Sequence, residues 1–258
     1  MKITTILGTF TTLSVALPIF NGNKIAWLAL ESLCNQSDVD FDWELLVCEE
    51  EHENMVGEEY IQKYASRLAE KRCCRILYMS LPEKVTLAKK WQLIGSHIAP
   101  TSKAFVLQAA DCYSPSKRLS LSYKAIQNGV DWYDIKYGYF YSLISKRVIL
   151  YRYNGRTNLN MAFKSEYART IPDTDLTAGI DNFLLTHCES KNQSISIMHD
   201  SYLFEDSVDV HGANNISIKR EEYFDTKPNI FQVLNTPIDE LGLPKDVIEK
   251  LKSLEVNG

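Results

Sequence analysis

No stretch of this 258-residue chain holds the ~18–20 consecutive apolar residues that crossing a bilayer requires, so any membrane contact is expected to be peripheral. The six cysteines, at 34, 48, 73, 74, 112 and 188, include no CxxC pair and no regular spacing. Adjacent Cys73 and Cys74 are poorly placed to pair with each other, and the set reads as reduced thiols of a cytoplasmic protein, mostly small core residues. An excess of one charge is also missing. The formal net charge of -5 exerts no overall pull on nucleic acid or anionic lipid, although a local basic groove stays open because binding fields follow charge distribution. The opening lacks the basic start of an export signal: after Lys2, the next seventeen residues hold five threonines, a serine and Pro18. Internal repeats and low-complexity linkers are absent too, which points to one domain with a decorated second half. The sequence assigns no oligomeric state.

What is present is an ample apolar fraction, 45%, in an alternating pattern. Val15, Ala16, Leu17 and Ile19 read as a strand buried on both faces, stopped by a turn at Asn21-Gly22. Residues 23–36 have helical apolar spacing, with Asn23 as the predicted cap. WELLVCEE (43–50) reads as a buried strand, EEYIQKYASRLAEKR as one helix, CRILYMS (74–80) as a strand and EKVTLAKKWQLIGSHIA as a helix. KAFVLQAAD (103–111) is a further strand, and PSKRLSLSYKAIQNG a helix with Pro115 in its first turn. Strand alternating with helix implies an α/β fold with a mainly parallel sheet covered on both faces. From about residue 131 the texture becomes mixed, with an aromatic and β-branched hairpin or meander around Gly138. Helices follow near 164–170 and 178–189, then a His- and Asp-rich segment at 195–215 and an amphipathic tail helix started by Pro244.

In an open parallel sheet, ligands sit beyond the carboxyl ends of the strands, where strand order reverses. Polar residues fall there in Pro18-Ile19-Phe20-Asn21, in Cys48-Glu49-Glu50, in Gln108-Ala109-Ala110-Asp111 and before Asp181. Taken in order, SVALPIFNG, ALESLCNQ, FDWELLVCEE and AFVLQAADCYSPSKRL resemble the family 2 inverting glycosyltransferases of the GT-A fold. That family has a strand ending Pro-Tyr/Phe-Asn, a helix with Ser-Leu/Val-x-x-Gln, a second strand ending Asp-Asp and a later strand ending in a DxD-type motif. The resemblance covers about residues 13–120, with echoes in RTNLNMAFKSEY (156–167) and TAGIDNFLL (177–185).

The resemblance implies one GT-A, Rossmann-like domain over residues 1–258, with a nucleotide-sugar half (1–130) and an acceptor-side half (131–258). Its donor would be a nucleotide-diphosphate sugar, uridine-linked, and its acceptor a glycan or a hydroxymethylated DNA base as in phage DNA modification. By position, Pro18, Phe20 and Asn21 would floor the nucleotide site, and Glu49 and Glu50 replace the Asp pair, with Glu50 as the contact to base and ribose. Gln108, Ala110 and Asp111 occupy the DxD-type motif, where only Asp111 keeps a carboxylate. A Mn2+ or Mg2+ site would therefore rest on Asp111, completed by His211, with His199-Asp200 as the competing partner and Arg156 or Lys164 as substitutes for part of its charge. Asp181, at the family's Glu-Asp-x-x-Leu position, would be the general base; the plainer role is a helix cap. Lys84, Lys89, Lys90, Lys117, Arg118 and Lys124 would supply phosphate contacts to a DNA acceptor, and Trp91, Trp132, Tyr133 and Tyr137 are core aromatics or stacking platforms. The eroded motif also suits a catalytically inactive fold retained as a nucleotide- or protein-binding module.

Overall fold

The computed structural model describes residues 2–6, 11–20, 25–152, 161–176, 179–211, 222–227 and 229–254. The first half lays down strand β1 (Lys2–Ile6), β2 (Leu13–Ile19), helix α1 (Trp27–Cys34), β3 (Trp43–Glu50), α2 (Glu58–Gln62), α3 (Ala65–Glu70), β4 (Cys73–Leu81), α4 (Leu87–His97), β5 (Ala104–Leu107), β6 (Cys112–Tyr113) and α5 (Arg118–Gln127). The second half adds β7 (Trp132–Ile135), β8 (Tyr137–Ser142), β9 (Val148–Arg152), β10 (Met161–Lys164), α6 (Ser165–Ala168), α7 (Ile180–Lys191), β11 (Ile197–Asp200), β12 (Val208–His211), α8 (Glu222–Thr226), β13 (Phe231–Leu234) and α9 (Lys245–Ser253).

The expected α/β fold is present: a mainly parallel central group of strands flanked by helices. Eight strands run in the order β1-β4-β3-β2-β5-β10-β7-β11, with β2 parallel to both β3 and β5. Strands β2 and β3 are buried along their whole length, the condition of a sheet covered on both faces. One face packs Ala29, Leu30, Leu33, Leu119 and Ile126 of α1 and α5 against Val15, Leu45 and Val106. The other packs Trp91 and Ile94 of α4 and Leu184, Leu185 and Cys188 of α7 against Leu46, Phe105 and Trp132. Trp132 and Tyr133 are thus core residues, and all six cysteines are free thiols. Among the described residues no helix is long and apolar enough to cross a membrane.

Several boundaries differ from the sequence reading, each for a local reason. Asn23 lies outside the described residues, and α1 starts from Ala26 without a side-chain cap. The single helix expected over 58–72 is two, α2 and α3, because Lys63 and Tyr64 close tight i to i−3 bonds to Tyr60 and Ile61. Pro115 precedes α5: its carbonyl accepts the Arg118 N–H, and Lys117 is the N-cap residue. Residues 132–152 divide between two sheets, since β7 joins the large sheet while the β8–β9 hairpin builds a second one, ordered β13-β9-β8-β12-β6.

Gly95 sets the seat of α4. A Cβ built there would stand 2.2 Å from the Ala168 carbonyl oxygen, so the helix approaches α6 at a distance only glycine permits. Overpacking of this kind costs about 1–3 kcal/mol. Gly95→Ala is expected to lower the melting temperature by roughly 3–10 °C, read by circular dichroism.

Candidate active site

The strand order reverses at β2, which has β3 and β4 on one side and β5 on the other. The crevice at the carboxyl ends of these strands is where such sheets bind ligands. The ladder between β2 and β5 ends where the Gln108 N–H donates to the Ala16 carbonyl at 2.9 Å. Pro18, two residues on, faces the same neighbour beyond the end of β5, so its missing N–H leaves no bond unmade. Proline here opens the crevice, and Phe20 follows at its rim. Asn21, the next predicted contact, lies outside the described residues.

The two glutamates closing β3 do different things. Glu49 accepts the Val56 and Gly57 N–H groups at 2.7 and 3.0 Å and the Tyr78 hydroxyl at 2.9 Å, holding the loop 51–57. Gly57 takes φ 81°, which favours glycine there. With its acceptors used inside the protein, Glu49 is a loop anchor in this structure, not an open nucleotide contact. Glu50 is buried and forms an ion pair with the equally buried Lys90 of α4, whose ammonium also donates to the Ile19 carbonyl. The Lys84 and Lys90 ammonium groups stand 4.6 and 5.6 Å from the centre of the Phe20 ring.

At the end of β5 the chain curls. Gln108 donates to the carbonyls of Ala109 and Cys112, both at 3.0 Å, and accepts the Ser114 hydroxyl at 2.7 Å. Its amide is turned inward and pins the turn, leaving Asp111 as the motif's remaining carboxylate. Arg118, buried beneath, donates to the Leu107 carbonyl and to Ser114.

Asp111 meets a residue the sequence reading passed over. Its carbonyl accepts the Val210 N–H at 2.9 Å, and β12 pairs with β6 so that Asp209 lies opposite Cys112. Burial pushes the Asp111 carboxyl up to about 6, and burial together with the Asp111 charge pushes Asp209 up to about 8. The Cys112 thiol donates to Asp209 Oδ1. His211, two residues along the strand from Asp209, pairs with Ser142 in the β12–β8 ladder; its side chain lies outside the described residues. The alternation Val-Asp-Val-His was the available signal for Asp209, but only the pairing of β12 with β6 brings it to Asp111. Two neighbouring carboxylates suit a hard divalent cation. Among the described residues, no group of three His, Cys, Asp or Glu side chains is arranged to hold a metal.

Asp181 stands in the first turn of α7, and burial raises its carboxyl above the usual range. The cap position belongs to Gly179, with φ 67°, so Asp181 is not the N-cap. The preceding loop is tied to the start of α4 by the Lys89–Asp173 ion pair at 2.6 Å and by Thr86 donating to the Thr174 carbonyl. This brings the start of α7 to the end of the sheet that also carries Lys90 and Glu50.

Other expected residues are not brought together. His199 binds Asp134 at 2.6 Å, and Asp200 accepts from the Tyr133 hydroxyl. Both sit at β11, three strands from β5 and so roughly 14 Å away, which separates them from Asp111. Lys164 pairs with Asp131 at 2.7 Å, at the amino end of β5, so it cannot offset charge at the crevice. Arg156 lies outside the described residues. Of the six basic residues considered for DNA, Lys90 and Arg118 are buried, while Lys89 and Lys117 face Asp173 and Asp38.

No protein-family model matches the chain, and no curated protein matches it in sequence. Solved structures do: the architecture is the GT-A fold of nucleotide-sugar glycosyltransferases. The structure of S. aureus TarS 1-349 in complex with UDP-GlcNAc is similar with a TM-score of 0.60 at 13% identity, over 93% of this chain and 70% of that one. A longer TarS structure gives 0.57 at 14% identity over 84% of this chain, which spans only 38% of its length. The mannosyltransferase PcManGT from Pyrobaculum calidifontis, in complex with GDP-Man and Mn2+, gives 0.52 at 13% identity, over 86% of this chain and 63% of that one.

Proposed function

We propose that the chain is an inverting glycosyltransferase that moves a sugar from a nucleotide-diphosphate donor, uridine-linked, to an acceptor hydroxyl. In this reading residues 1–130 of one domain bind the donor and residues 131–258 face the acceptor. The observation that carries it is the convergence, at the β2/β5 switch point, of Phe20, buried Glu50 and the neighbouring carboxylates Asp111 and Asp209. The likeness to structures in complex with UDP-GlcNAc and with GDP-Man supports the donor class.

Phe20 offers a ring to the base, and Glu50 an acceptor to base or ribose. Asp111, with Asp209 and His211, would hold Mn2+ or Mg2+, which when bound supplies positive charge to offset the diphosphate. Asp181 takes the acceptor hydroxyl proton as that oxygen bonds the sugar's anomeric carbon. The bond from that carbon to the diphosphate oxygen breaks on the opposite face, and the nucleotide keeps its electron pair. Burial that raises the Asp181 carboxyl makes it a stronger base than a solvated aspartate.

For the acceptor, a glycan is favoured over hydroxymethylated DNA, because the basic residues expected to track phosphates are mostly buried or paired with acids. The free thiols support a cytoplasmic setting. A second reading, an inactive GT-A module that only binds nucleotides or proteins, is favoured by the inward turn of Gln108. Hydrolysis or transfer of a UDP-sugar with Mn2+ present separates the two.

The donor assignment has a direct test. UDP with Mn2+ at about 100 times its Kd is expected to add about 2.7 kcal/mol of stability and raise the melting temperature by several degrees. Glu50→Ala should shrink that shift. If no nucleoside diphosphate moves the transition, the assignment is wrong.

A further inference from the structure

Lys164, which cannot serve the crevice, lines a cavity at the other end of the sheet. This hollow of about 340 Å³ lies at the amino end of β5, between Lys103, Lys164, Glu166 and Arg169 on one side and Ile126 and Gln127 of α5 on the other. Sites for small molecules typically measure about 300–1,000 Å³. Three cations converge on it, and they are not equally compensated. Lys164 is offset by Asp131, whereas Lys103 and Arg169 form no ion pair among the described residues. Glu166 lines the same hollow and pairs with none of the three.

The frame around these cations is rigid. Arg169 Nη2 donates to the carbonyls of Ala99, Pro100 and Ser102 at 2.8, 3.0 and 2.9 Å, which fixes the guanidinium without neutralising it. The Lys103 carbonyl accepts the Ser165 N–H at 2.9 Å, and the Ser102 hydroxyl beside it belongs to a buried chain with Ser14 and Ser165. An arginine closing a loop and an exposed lysine are each ordinary taken singly. Two uncompensated cations lining one hollow are not, because charges of one sign in a concave surface raise the local potential and draw in an anion.

The other lining groups say what kind of anion fits. Phosphate oxygens accept from Lys103 and Arg169 as charge-assisted bonds. Glu166 and the Gln127 side-chain carbonyl are acceptors, which call for hydroxyl donors on the ligand, and the Gln127 amide is already turned to the Tyr123 hydroxyl at 2.5 Å. We propose that this cavity is a second, non-catalytic ligand site for a small hydroxylated anion of the sugar-phosphate class. The four residues of β5 set it roughly 13 Å or more from the turn that carries Asp111, so a molecule bound there takes no part in chemistry at the crevice. The inference stands apart from the glycosyltransferase reading.

Calorimetric titration of the full chain, in chelator, with glucose 6-phosphate, glucose and inorganic phosphate tests this. Wild type is expected to bind glucose 6-phosphate about 10-fold more tightly than inorganic phosphate, and glucose without measurable heat. Lys103→Glu replaces an exposed side chain that makes no ion pair, so the fold should be kept, and it should weaken glucose 6-phosphate binding by about 10-fold or more. Glu166→Ala should bring glucose 6-phosphate down to the affinity of inorganic phosphate. Amide resonances that move on titration should belong to residues 102–104, 126–127 and 164–169. The site is overturned by the absence of saturable heat up to about 10 mM ligand, by equal affinity for glucose 6-phosphate and phosphate, or by binding that Lys103→Glu leaves unchanged.

Discussion

Asp181→Asn is expected to lower sugar transfer by roughly 10²–10⁴-fold while leaving donor affinity unchanged. The amide matches the carboxylate in size, and Gly179 holds the cap position, so the helix start should keep its stability. What the change removes is the proton acceptor. Transfer is followed by UDP release, and donor affinity by calorimetry with UDP and Mn2+. A variant that keeps more than about a tenth of wild-type turnover would remove Asp181 from the mechanism, because that loss is too small for a missing base. Asp173 and Asp175 in the preceding loop would then be tested in turn, although Asp173 already pairs with Lys89.

The second large effect is expected at Asp111. Asp111→Asn keeps the turn at the end of β5, which is pinned by Gln108 and by the backbone bond to Val210, and withdraws one negative oxygen from the carboxylate pair. Turnover with Mn2+ should fall by about 10²-fold, with the metal concentration needed for half activity rising in step, as ligand-shell losses usually cost 10–100-fold. Asp209→Asn and His211→Ala belong in the same assay. Full wild-type activity in chelator would show the ion to be dispensable, and these three residues would then have no ligand role.

The apolar runs of this chain are long enough, and regular enough, for its architecture to be read directly. Residues 15–19 and 45–48 are apolar on both sides of the pleat, which a strand inside a covered sheet requires, and the strands that contain them are fully buried. The same reading placed Phe20, Glu50 and Asp111 at one edge, because in alternating α/β chains strand ends fall together whatever the details of packing. Local chemistry was less legible. An aspartate beginning a helix looks like a cap, and only the left-handed Gly179 shows that the cap lies two residues earlier.

Tertiary structure alone decided which acids are open and which are engaged. Glu49 and Glu50 are adjacent and chemically alike, yet one is consumed by the backbone of loop 51–57 and the other is set against Lys90, forty residues away. Asp209 and Asp111 are separated by about a hundred residues and meet only because β12 pairs with β6 in a second sheet that apolar periodicity did not reveal. Lys164 and His199, attractive in sequence, are held at the far end of β5 and at the sheet edge by Asp131 and Asp134. The physical reason is one of range. Periodicity and strand-end position are written in neighbouring residues, whereas the partner of a buried charge is chosen by long-range strand pairing and helix packing, which no local pattern encodes.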